Sequence, residues 1–131
     1  MKNIFLILAF IVSSTIQSQT LTEVYSKYIQ PTNSIEDLQE GLKQVNNICE
    51  VTPQEKCNKA KASAYYLMAD SYYAKAWSTY KTDTTLVQPI LLKANDLFNK
   101  ANKLMAITEF SESQKNMMLN DKNYFESLVN K

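Results

Sequence analysis

Few groups in this 131-residue chain have the types and spacing to do chemistry. Cys49 and Cys57 are its two cysteines, spaced C-x7-C. Asp70, Asp96 and Asp121 recur along its second half, where a fold that folded back on itself could pair two of them as acid and base. Tyr66, Tyr73, Trp77 and Tyr80 follow one another at intervals of 7, 4 and 3, a line along one side of a helix. What is missing narrows the chemistry further. The chain has no His, and all 14 of its Lys+Arg residues are Lys. Nucleophile–histidine centres and histidine metal sites are therefore excluded, and so is an arginine clamp for phosphate or carboxylate. A single glycine, Gly41, excludes a glycine-rich phosphate loop. Two cysteines alone cannot fill a zinc site. The expectation is a protein that is not an enzyme, with no catalytic residues, no metal and no cofactor.

The cysteines are expected to form a disulfide, since a redox pair would be spaced C-x-x-C. Met105, Met117 and Met118 read as core filling. The aromatic stripe has two readings. Tyr66, Tyr73, Trp77 and Tyr80 either pack the core or offer a binding surface, with Trp77 and Tyr80 reaching beyond the neighbouring helix into solvent.

Residues 1–18 have the layout of a signal peptide. Lys2 precedes an apolar run from Ile4 to Val12, and a small polar stretch follows. That run is too short to span a bilayer. The expected mature chain, residues 19–131, forms one domain without a membrane span. It carries 13 Lys against 13 Asp+Glu, because the first 18 residues hold one Lys and no acid. With zero net charge and no basic stripe, nucleic acid is a poor partner. Export to the periplasm or the exterior is expected.

The elements that must position these groups read as helices. Leu21, Val24, Tyr25, Tyr28 and Ile29 recur at helical spacing up to Pro31. Asn33 or Ser34 caps a second helix, whose stripe is Ile35, Leu38, Leu42, Val45 and Ile48; Asn33 and Glu36 have capping-box spacing. Gly41 within it either permits a close helix contact or is incidental. Thr52-Pro53-Gln54-Glu55 opens a long third helix that runs to about Tyr80. Pro89 opens a fourth, with Leu91, Ala94, Leu97, Phe98, Ala101, Leu104 and Met105 on its buried side. Ser111 or Ser113 caps a fifth.

Tyr65, Met68, Ala69 and Tyr72, followed by Ala94, Phe98 and Ala101, resemble the two helices of a tetratricopeptide repeat. The resemblance covers residues 62–104, with a stretch between Tyr72 and Ala94 about thirteen residues longer than in a 34-residue repeat. It implies stacked α-hairpins sharing an alanine and aromatic seam. The expected fold is all-α, with four to five antiparallel helices in repeat-like hairpins or a small bundle. The expected function is binding an unidentified protein or peptide. The alternative is a small apolar or glycan ligand held on a Tyr/Trp-lined surface.

Overall fold

A computed structural model describes residues 20–49 and 54–130. The described chain is all-α: five helices and two short 3-10 turns, with no strand among the described residues. Residues 1–18, and Thr52 and Pro53 of the expected third N-terminus, lie outside the described residues.

Helix α1 (Leu21–Tyr28) starts at Thr20, whose hydroxyl accepts the Glu23 N–H at 3.1 Å. Asn33 does not cap the next helix. Its side-chain oxygen accepts the Gln30 N–H at 2.9 Å and its amide donates to the Lys27 carbonyl at 3.2 Å, so it serves the open end of α1. Ser34 takes the capping role for α2 (Ile35–Ile48), accepting the Asp37 N–H at 3.1 Å. Helix α3 (Gln54–Tyr80) is the longest, at 27 residues. Asp83 then caps a 3-10 turn, Thr84–Leu86, which leads into α4 (Val87–Leu104). Pro89 is the third residue of α4 rather than its first. It still lies in the first turn, where its missing N–H leaves no bond unmade. A second 3-10 turn, Ile107–Glu109, precedes α5 (Glu112–Val129). Ser111 caps α5 with a full capping box: its hydroxyl accepts the Gln114 N–H at 3.2 Å, and the Gln114 side chain accepts the Ser111 N–H at 3.1 Å.

Helix α3 is the hub of the bundle. Helices α4, α5 and α2 all pack along it, and α1 touches it. Its composition explains why. A helix with one apolar face can cover one layer, but α3 buries Ala62, Ser63, Ala64, Tyr66, Leu67 and Ala69, which spread over well more than half of its circumference. Tyr66 meets Asn102 and Tyr73 meets Asn95, so α3 and α4 are antiparallel. Trp77 meets Tyr124 and Tyr80 meets Phe125, so α5 lies parallel to α3. Along α3, α4 and α5 each helix thus runs antiparallel to the one before, as expected, and α5 packs chiefly on the hub rather than on α4.

The repeat-like residues lie where helices approach. Ala69, Ala94 and Ala101 are fully buried and Met68 is buried. Phe98 is half-buried and meets Tyr66, not Tyr65, edge-on at 5.1 Å between ring centres. Tyr65 and Tyr72 are half-buried against the core. Met118 fills the core, but Met117 is 44% exposed and does not. Two positions along on α5, Leu119 is half-buried, so the apolar band of this helix is narrower than its methionines suggest.

Candidate functional site

The aromatic stripe divides. Tyr66 and Tyr73 are core residues, which corrects their reading as a binding surface: they are 0% and 2% exposed. The Tyr66 hydroxyl donates to the Met105 carbonyl at 2.7 Å, and its ring is wedged between Phe98 and Phe110. Burial, with help from Glu109, pushes its hydroxyl up to about 12. The Tyr73 hydroxyl donates to the Asn95 side-chain oxygen. Burial, then the negative fields of Glu126 and Asp70, pushes it up to about 12 as well. Trp77 and Tyr80 are half-buried, and α3 does not outrun its neighbours as expected. Because α5 runs parallel to α3, it accompanies the hub to its end, where Tyr124 and Phe125 lie against Trp77 and Tyr80. What reaches solvent there is Tyr124, 42% exposed, with the Lys81 ammonium 4.9 Å from the Trp77 ring centre.

Cys49 and Cys57 are joined, as expected, with Cα atoms 5.9 Å apart. The bridge ties the last turn of α2 to the first turns of α3.

Of the three aspartates, two are brought together. Asp96 is on the surface, paired with Lys100 at 3.3 Å on the next turn of α4. Asp70 is 8% exposed, in the middle of α3, and its side-chain oxygen accepts two successive backbone N–H groups of α5, from Asp121 at 2.9 Å and Lys122 at 3.3 Å. Asp121 accepts the Trp77 indole N–H at 3.0 Å. Burial, then the hydrogen bond and negative charge of Asp121, pushes Asp70 up to about 8, against the two amides that favour its ionised form. An acid–base pair with these properties could in principle move a proton. Its oxygens, however, are occupied by the backbone of α5 and by the Trp77 neighbourhood.

The concave surface lies elsewhere. A groove of about 300 Å³ runs between α1, the start of α3 and the start of α5. Leu21, Thr22, Tyr25 and Ser26 of α1, Lys56, Lys59 and Ala60 of α3 and Gln114 of α5 line it. Neither lysine forms an ion pair with a described residue. The Tyr25 hydroxyl donates to Ser63 at 3.4 Å, anchoring α1 across the hub. None of Tyr66, Tyr73, Trp77 or Tyr80 lines this groove. Sequence spacing missed it because its walls come from helices far apart in the chain. The signal that was present is the pair Lys56 and Lys59, one turn apart beside a disulfide.

Among the described residues no group of three or more His, Cys, Asp or Glu is placed to hold a metal ion. No described helix is long and apolar enough to cross a membrane. Comparison with known proteins gives no match: no family model, no curated protein and no solved structure is significantly similar to the chain.

Proposed function

We propose that this protein is a non-enzymatic helical binding module, exported by its first 18 residues, that takes up a short segment of a partner protein in the groove between α1, α3 and α5. The observation that carries this reading is the groove itself: an apolar cleft of about 300 Å³ whose charged lining groups, among the described residues, are two lysines. That size suits one or two apolar side chains, and an open cleft suits a peptide better than a ligand that must be enclosed. Lys56 and Lys59 favour a segment with carboxylates beside its apolar anchor. The disulfide supports an oxidising compartment, the periplasm or the exterior. The repeat-like alanine seam between α3 and α4 belongs to the same reading, as a scaffold of stacked hairpins. The alternative, a small ligand on the Tyr/Trp stripe, loses Tyr66 and Tyr73 to the core.

The test is an NMR titration of the disulfide-bonded protein with two short peptides, one pairing Leu and Trp with Asp and Glu, the other with Lys in place of the acids. The acidic peptide should move the amide signals of Leu21, Tyr25, Ala60 and Gln114, and the double variant Lys56→Glu, Lys59→Glu should lose that response. Equal responses to both peptides, or shifts that avoid the groove, would overturn the reading.

A further inference from the structure

The Trp77 and Tyr124 rings form a corner near the end of α3, their planes 82° apart and their centres separated by 5.1 Å. A cation fills that corner. The Lys81 ammonium stands over both rings, 4.9 Å from the Trp77 centre and 5.4 Å from the Tyr124 centre. Two ring faces around one positive charge are the arrangement by which proteins hold organic cations. The Asp121 carboxyl, which accepts the Trp77 indole N–H at 3.0 Å, adds an acidic group beside the rings. Lys81 is a loosely held occupant. It is the first residue past α3, it is exposed, and it forms no ion pair with a described residue. A primary ammonium must also shed strongly held water to sit on the rings, whereas a quaternary ammonium has no N–H groups to desolvate.

We propose that the Trp77–Tyr124 corner is a binding site for a small zwitterion carrying a quaternary ammonium beside an anionic group, the chemistry of choline phosphate. The trimethylammonium of the ligand replaces the Lys81 ammonium over the two rings. The displaced Lys81 swings round to the phosphate and forms a charge-assisted pair with it. Both charges of the ligand are then met, and this is what selects the class. A simple quaternary cation leaves Lys81 in water beside a like charge, and a simple anion leaves the corner filled as it is. The rings are within reach of such a ligand, since Tyr124 is 42% exposed and Trp77 is half-buried. The site is separate from the groove between α1, α3 and α5, which neither ring nor Lys81 lines.

Trp77 is the chain's only Trp, so its indole N–H signal reports on the corner directly. The experiment is an NMR titration of that signal and the Tyr124 ring signals in the disulfide-bonded protein, with choline phosphate, tetramethylammonium and inorganic phosphate as probes. Choline phosphate should give saturable shifts and bind about tenfold more tightly than either half alone. Tyr124→Ala should weaken its binding by about tenfold, while Tyr124→Phe, which keeps the ring face, should bind as the unaltered protein does. Lys81→Met separates the two roles: it should bind tetramethylammonium more tightly and lose the preference for choline phosphate. Cosedimentation with phosphatidylcholine vesicles, against phosphatidylglycerol vesicles as control, tells the source. Selective cosedimentation marks a lipid headgroup as the ligand, and a response confined to soluble choline phosphate marks a free zwitterion. The absence of a saturable shift with choline phosphate, an equal response to inorganic phosphate, or unchanged binding by Tyr124→Ala would overturn the proposal.

Discussion

Gly41 of α2 lies so close to α1 that a Cβ built on it would be 2.7 Å from the Cβ of Tyr28 and 3.0 Å from Cγ1 of Ile29. The chain's only glycine is therefore a point of close contact between α1 and α2. Alanine would favour the helix by up to about 1 kcal/mol. It would also force α1 away, because the obstructing atom is next to the Tyr28 backbone and cannot swing aside. Gly41→Ala should lower stability by about 1–2 kcal/mol in urea unfolding, the usual range for overpacking less the helical gain.

Stability should fall as pH rises from 5 to 8.5. Folded, Asp70 holds its proton up to about pH 8; unfolded, it releases it near the ordinary value of about 3.9. The folded state therefore binds the extra proton between those limits. Its contribution is complete below about pH 4 and is lost as pH climbs through about 8. Each pH unit inside the window removes at most about 1.4 kcal/mol. The chain has no His to obscure the effect. Thermal melts should show Tm dropping by several degrees across the window, with Asp70→Asn nearly flat and the more stable of the two at pH 8.5.

Tyr66→Phe should cost about 1–2 kcal/mol, because the change leaves the Met105 carbonyl without its donor inside the core. Tyr124→Phe, at an exposed ring, should cost less than about 0.5 kcal/mol. Chemical unfolding of both variants checks the contrast. Spectrophotometric titration should also find two tyrosines that ionise only near pH 12, Tyr66 and Tyr73.

Replacing both Cys49 and Cys57 by Ser should cost about 2–3 kcal/mol, the entropy regained by an unfolded chain freed of a small loop. The groove wall at Lys56 and Lys59 should loosen too. Faster amide exchange in the first turns of α3, with α4 unchanged, would register it.

Local signals were legible and long-range ones were not. Ser34 and Ser111 cap helices because their hydroxyls answer amides three residues on, a relation written in the sequence. The cysteine pair was readable for the same reason, as its partners are 8 residues apart in the chain. Asp70 and Asp121 are 51 residues apart, and nothing in their spacing says that α5 lies parallel to α3 with those two in register. The fate of the aromatic stripe turned on the same fact. Periodicity placed Tyr66 and Tyr73 on one side of α3, but only the packing of α4, Phe110 and α5 against that side makes it interior. A clue was available: between Ala60 and Ala76, α3 carries more small and apolar residues than one face can hold, the mark of a helix packed on several sides.

The placement of α5 bears on how the chain acquires its shape. Helices α2, α3 and α4 meet their chain neighbours through short connections, contacts that form quickly because little loop entropy is spent in closing them. Helix α5 alone must pass its immediate predecessor to reach the hub. The docking of this last segment is the step expected to limit the rate of folding, and in stopped-flow refolding substitutions at Phe125 should slow the slowest phase more than substitutions at Val45.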